Sequence, residues 1–253
     1  MPEIGALWMS LGWNRGLQAH YDVAFAHFLT AELVFERAND THWIANLARA
    51  RAFLNLQRAN TESARADVTR AIELSRLNGN RNGLAGGYMY LGEIDRHAQD
   101  YASARSHYLA AYDLYRQNPA NRWIAECNLA LCEIGAGNIT AADRVLQRLV
   151  ASSQYQRKLF APFQLALAYS DAHHGDWETY DNRFKEVLME VKRLKHMEYD
   201  IAWLFDRLGD LSERADHRER ARQAYTAALT IWEGLGRKAE ANLTRFAIAR
   251  LNS

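Results

Sequence analysis

The sequence predicts an all-α fold, a solenoid of about six helix-turn-helix repeats closed by a C-terminal capping helix. Three observations carry that expectation. Of 253 residues, 41 are Ala and 30 are Leu, both strong helix formers, against only 3 Pro. A set of residues spaced i, i+4 and i+7, in most cases small, large and small, recurs six times, with first members at Ala24, Ala64, Ala104, Ala142, Tyr180 and Ala221. The intervals are 40, 40, 38, 38 and 41 residues, the signature of a repeat architecture. Around each set, apolar residues recur every three to four positions, the period of an amphipathic helix.

Composition narrows the function classes. The chain is 49% hydrophobic, 24% charged and 11% aromatic, which excludes disorder. Thirty-one basic residues against 30 acidic ones leave a net charge of +1, so no global field recruits nucleic acid or anionic lipid. Neither nucleic acid nor membrane is therefore expected as a direct partner. Cys127 and Cys132 are too few for a disulfide framework and lack metal-ligand spacing. No apolar run approaches the ~18 residues of a membrane span, and the N-terminus has no signal-peptide pattern. A cytoplasmic location follows as the expectation. Twenty-six Arg against 5 Lys fits a GC-rich bacterial genome.

The repeats read in order as approximately 5–41, 42–82, 83–120, 121–158, 159–198 and 199–236, in one solenoid domain over 1–253. In the first, Trp8, Leu11 and Arg15 share a helical face, Gly12 lets two helices approach, and Ala24, Phe28 and Ala31 form the facing helix. Asn39-Asp40-Thr41 separates it from the second, with Asp40 or Thr41 as N-cap. The second keeps Ala52, then Ala64, Val68 and Ala71. The stretch Asn78 to Gly83 reads as the clearest loop. The third carries Tyr88, Leu91-Gly92, Ala104, Tyr108 and Ala111, and ends near Asn118-Pro119-Ala120-Asn121. Leu129-Ala130 and Ala142, Leu146, Leu149 make the fourth, which ends at Ser152-Ser153. Leu167-Ala168 and Tyr180, Phe184, Val187 make the fifth, followed by the charged stretch Lys192–Glu198. Phe205, Leu208-Gly209 and Ala221, Tyr225, Ala228 make the sixth, which ends at Gly234-Leu235-Gly236. Residues 238–251, with Ala241, Phe246, Ala249 and Leu251, read as a capping helix. Pro2 suits a first helical turn. A repeat that starts so close to Met1 suggests an excised domain, or a first helix packed on another chain.

The order of an aromatic residue, Leu-Gly, a Gly-Asp or Gly-Asn turn, then Ala-aromatic-Ala resembles the tetratricopeptide repeat. Trp8–Leu11–Gly12–Ala24–Phe28–Ala31 and Tyr88–Leu91–Gly92–Ala104–Tyr108–Ala111 match it almost throughout. Two departures are the period of about 40 rather than 34 and the absence of the closing Pro except near Pro119. The longer period is similar to MalT-type transcription activators, helical arms of signalling ATPases and Rap-type peptide-responsive regulators of bacteria. The resemblance implies a right-handed superhelix whose concave groove, lined by the first helix of each repeat, binds a protein or peptide partner.

Counted from the Leu-Gly pairs, the groove residues so implied are Met9, Trp13, Asn46, Arg49, Phe53, Met89, Glu93, Arg96, Asn128, Leu131, Tyr169, Asp206 and Asp210. This apolar and aromatic lining suits an amphipathic helix or an extended apolar peptide; alternatively, neighbouring helices cover the aromatics. The Lys and Asn donors of the family's chaperone-tail clamp are absent, since Met9, Trp13, Gly86 and Tyr90 stand at those positions. His20, His27, His97 and His107 read as solvated or capping residues, and His173-His174 as no metal pair. Asp206, Asp210 and Glu213, with Arg207 and Arg214, read as a solvated charged face. Cys127 and Cys132 read as buried, inert thiols. No nucleophile elbow, phosphate loop, zinc-protease helix or dinucleotide fingerprint occurs. The expected function is thus a non-catalytic peptide- or protein-binding scaffold in bacterial signalling, with no cofactor and no metal. The alternative is a ligand-sensing domain of a larger transcription regulator or signalling ATPase. Self-association into a homodimer is a third expectation.

Overall fold

The computed structural model describes residues 2–152 and 161–251, which form thirteen α-helices, with no strand among the described residues. The chain divides into two compact units, Met1–Tyr155 and Gln156–Ser253. The first holds four helix pairs: α1 (Pro2–Leu17) with α2 (Tyr21–Arg37), α3 (Thr41–Gln57) with α4 (Thr61–Leu77), α5 (Arg81–His97) with α6 (Tyr101–Leu114), and α7 (Pro119–Gly135) with α8 (Ile139–Ala151). The second holds α9 (Ala161–His173) with α10 (Trp177–Leu194), α11 (Tyr199–Arg214) with α12 (Arg218–Leu235), and the closing α13 (Lys238–Arg250). Ser153 and the junction of the fourth and fifth repeats lie outside the described residues. No described helix is long and apolar enough to cross a membrane.

The forty-residue period has a simple physical origin. Helices α2 to α6 begin at 21, 41, 61, 81 and 101, twenty residues apart. Four of them, α2 to α5, are 17 residues long, and the three-residue turns complete the interval. One turn geometry recurs at every such junction. Its second residue takes a left-handed conformation, as at Ala19, Asn39, Ala59, Gly79, Gln99, Gly137 and, in the second unit, Gly175 and Asp216. The following residue sends its backbone N–H five residues back, for example Asn60 to the carbonyl of Asn55 at 2.8 Å and Asp100 to that of Asp95 at 2.9 Å. This is the Schellman closure of one helix. The same residue opens the next helix: Asp40, Asn60, Asn80, Asp100 and Asp176 accept from the backbone N–H three residues on. Asp40, not Thr41, is therefore the cap.

That turn also shortens the loop expected over Asn78 to Gly83. Asn80 caps Gly83 N at 2.9 Å, so α5 begins at Arg81 and only residues 78–80 are turn. Pro119 likewise occupies the first turn of α7, with Asn118 capping Asn121 N at 3.1 Å.

All six anchor triplets are buried. Their aromatics explain the Leu-Gly glycines. A Cβ added at Gly12 would stand 2.6 Å from the Phe28 ring, at Gly92 2.6 Å from Tyr108, and at Gly209 2.5 Å from Tyr225. The glycine therefore makes room for a ring from the paired helix, which outweighs its helix penalty of ~1 kcal/mol. The leucine beside it is less constant: Leu208 is fully buried, whereas Leu11 is 49% exposed, because Gly5, Gly12 and Gly16 form the packed stripe of α1. In α13, Ala241, Thr244 and Ala247 face inward and Phe246 points to solvent, 72% exposed.

Candidate functional site

In the first unit, the first helices of successive pairs touch one another directly, α1 to α3, α3 to α5 and α5 to α7, and so form its inner layer. Three rings cross that layer in sequence. Trp13 of α1 lies 4.8 Å from Phe53 of α3, and Phe53 lies 6.3 Å from Tyr90 of α5, measured between ring centroids. Trp13 and Tyr90 are half-buried, and Phe53 between them is buried. Met9 packs against the same cluster. A separate shallow groove of about 400 Å³ lies between α1 and the start of α3, lined by Ala6, Leu7, Ser10 and Trp43.

Beside the rings, Arg49 of α3 reaches across to α5. Its Nη2 donates to Asn46 Oδ1 at 2.5 Å and its Nη1 to the carbonyl of Gly83 at a long 3.4 Å. The side chain lies where Gly86 has none: a Cβ at 86 would stand 2.9 Å from Arg49 Nε. Burial pulls the guanidinium pKa below its usual value, with Tyr90 and Tyr115 acting weakly in the opposite direction.

The other residues expected to line the groove divide by burial. Glu93 is half-buried. Met89 and Leu131 are in the packed interior. Arg96 is 3% exposed and donates through Nε to Tyr108 OH at 3.1 Å, so it braces the third helix pair. Asn128 is buried and donates to the carbonyl of Ile124 at 3.2 Å. Of the expected residues, the structure thus brings Met9, Trp13, Asn46, Arg49 and Phe53 together, and Tyr90 and Gly86 complete their surroundings.

In the second unit, Tyr169 is half-buried, and burial raises its pKa. The acidic row on α11 is not a solvated face. Asp206 accepts from Trp232 Nε1 at 2.6 Å and Thr244 Oγ1 at 2.9 Å, which ties α11 to α12 and α13. Burial, foremost, lifts its pKa to about 6. Tyr225 donates to Asp210 at 2.7 Å and contacts Glu213 at 3.0 Å, while Arg250 grips Glu213 with two bonds of 2.7 Å. These carboxylates join helices because each helix pair brings a position and its partner 12 or more residues later face to face.

His107 departs from the solvated role expected of it: its Nδ1 lies 2.7 Å from the buried Asp95. His27 lies against Trp8, ring centroids 5.2 Å apart and tilted by 31°, and His20 stands at the N-cap of α2 without a side-chain capping bond. Cys127 and Cys132 are buried and form no disulfide, and burial pushes the Cys132 thiol up to about 11. Among the described residues, no cluster of three His, Cys, Asp or Glu is placed to hold a metal ion.

No family model and no curated protein matches the chain. Among solved structures, it is similar to a Rap protein in complex with the competence and sporulation factor, with a TM-score of 0.64 and 12% identity over 97% of this chain and 73% of that one. It is also similar to aspartyl phosphate phosphatase F from Bacillus subtilis, with a TM-score of 0.59 and 15% identity over 98% of this chain and 71% of that one. At these identities the likeness establishes the fold: the long-repeat, tetratricopeptide-like architecture that the sequence predicts.

Proposed function

We propose that the chain is a non-catalytic regulatory module of bacterial signalling, cytoplasmic, that captures a peptide or an amphipathic helix on the inner layer of its first unit. The ring series Trp13–Phe53–Tyr90 carries this reading. The first helices of three successive pairs each contribute one aromatic to a strip, and apolar side chains of an extended or helical segment bury against such a strip. The fold-level likeness to a Rap protein crystallised with a peptide factor supports it by analogy alone. Another similar structure is that of a protein named as an aspartyl phosphate phosphatase. In this chain the most displaced carboxyl, Asp206, is occupied by Trp232 and Thr244, and this supports the non-catalytic reading.

A pool of random peptides tests the proposal. Peptides recovered on the wild-type protein are re-bound to a Met9→Ala, Trp13→Ala variant whose helicity is confirmed by circular dichroism. At least a tenfold loss of capture is expected, whereas equal capture by both proteins removes the site from this surface.

Contact between copies is the second reading, and one observation favours it. Ile4, Leu7 and Leu11 on α1, with Leu29 and Leu33 on α2, are exposed apolar residues at helical spacing, Leu7 to 67%. Sedimentation of wild type beside Leu7→Asp tests it. A concentration-dependent dimer lost in the variant supports the contact, and a monomer in both eliminates it.

A further inference from the structure

Arginine is plentiful in the first unit, and several of the described arginines pair with acids. Arg51 meets Glu32 and Asp67, Arg65 meets Asp95, Arg70 meets Glu32, and Arg105 meets Glu133. Arg49 stands apart. Among the described residues, no carboxylate lies within ion-pair distance of it, and both acceptors it uses, Asn46 Oδ1 and the Gly83 carbonyl, are neutral. A guanidinium has five N–H donors in a rigid planar fork, and burial without a counter-charge is unfavourable. The surrounding backbone is nonetheless shaped to admit it. Gly86 sits inside α5, where glycine is disfavoured by ~1 kcal/mol, and any side chain there would displace the Arg49 side chain. The largely buried Arg49 therefore occupies a fitted position at the edge of the aromatic strip, with charge left over.

We propose that Arg49 is the anchor for a carboxylate of the bound peptide, and that the ligand places this carboxylate next to an apolar or aromatic side chain lying on Trp13, Phe53 and Tyr90. The inference rests on the peptide-binding reading and adds the chemical class of the ligand's end or side chain. The fork geometry matches a carboxylate with two parallel bonds. The neutral partners leave the charge uncancelled, so an anion gains more here than at any of the paired arginines. The carboxylate comes from one of two sources, a peptide C-terminus or an Asp or Glu side chain.

Three pools of N-terminally biotinylated random pentapeptides separate the sources. One lacks Asp and Glu and ends in a free acid, one lacks them and ends in an amide, and one includes them and ends in an amide. Capture of either carboxylate-bearing pool at least tenfold above the neutral amide pool is expected on the wild type. That preference disappears in Arg49→Met, which keeps the length and apolar stem, and is partly retained in Arg49→Lys. Equal capture of all pools by the wild type, or a preference that survives in Arg49→Met, overturns the anchor and leaves peptide binding standing. Capture of no pool at all overturns peptide binding. In that case the Arg49 Nε–H NMR resonance, assigned by its loss in Arg49→Met, is titrated with N-acetylglycine and with N-acetylglycinamide. A saturable shift with the acid alone upholds a carboxylate site independent of peptides, and no shift eliminates it.

Discussion

Arg65 Nη2 lies 2.9 Å from Asp95 Oδ1 and so fastens the second helix of one repeat to the first helix of the next. Arg105 meets Glu133 in the same way one repeat later. Both arginines follow the first alanine of an anchor triplet, Ala64 or Ala104, and both acids come three residues after the Gly92 or Ala130 of the facing helix. The same buried Asp95 takes His107 at 2.7 Å from within its own repeat, so one carboxylate joins three helices.

The two sides of this joint contribute unequally. Arg65 is half in solvent, and its loss leaves Asp95 with His107, so Arg65→Ala costs under ~1 kcal/mol. Asp95→Ala removes two charge-assisted bonds from an enclosed site and costs about 2 kcal/mol. Urea unfolding of both variants measures the difference, and equal losses would refute the assignment of the carboxylate as the common node.

Gly92→Ala forces a methyl group to within 2.6 Å of the Tyr108 ring. The ring has no free space, since it is fully buried and its hydroxyl accepts from Arg96. Overpacking of this kind costs roughly 1–3 kcal/mol. A second change, Tyr108→Leu, relieves the clash, so the double variant is expected to be more stable than the sum of the two single losses. Strict additivity in a double-mutant cycle counts against the contact.

Ala59 and Gln99 hold left-handed backbone at φ of 64° and 62°, a conformation glycine adopts without a Cβ penalty. The equivalent turns already carry Gly79 and Gly137. Ala59→Gly and Gln99→Gly are each expected to raise stability by ~0.5–1 kcal/mol, visible as a higher melting temperature. A drop in melting temperature for both would show that the Schellman closure does not govern these turns.

Asp206 makes the second unit less stable as pH rises. Its folded pKa of about 6 lies above the unfolded value near 3.9, so between the two the folded state binds more protons. The contribution of the protonated group is present in full below pH 4 and is lost as pH passes 6, a change of roughly 2–3 kcal/mol. Asp206→Asn cannot ionise, and its amide oxygen still accepts from Trp232. The variant should therefore gain on wild type between pH 4 and pH 7.5. A stability difference that is flat with pH would contradict the shift.

The repeat was legible in the sequence because its anchors obey helical spacing and a nearly constant interval; Ala24, Phe28 and Ala31 are as buried as their positions predict. The inner-layer residues were legible only in part. Positions counted from Leu-Gly pairs found Trp13, Arg49 and Phe53. The same count also selected Arg96, Asn128 and Leu131, which lie inside the packing. Helices of 17 residues, longer than a 34-residue repeat accommodates, give neighbouring pairs more surface to bury, and those three fall on it. The polar joints escaped the helical period altogether. Asn55–Asp67, Asp95–His107 and Asp171–Arg183 are each separated by 12 residues across a turn. A search for that fixed separation, instead of i, i+3 and i, i+4, would have found them.

The twenty-residue cadence of helix starts makes the joints between repeats interchangeable. Asp40 and Asn80 each cap a helix, each follows a left-handed residue, and each closes the helix before it by the same bond. Excision of residues 41–80 would set Asp40 directly before Arg81 and rebuild a turn of unchanged geometry. Duplication of that block would do the same with one more copy. A gene of this design can change the length of its product by whole repeats without inventing a new junction.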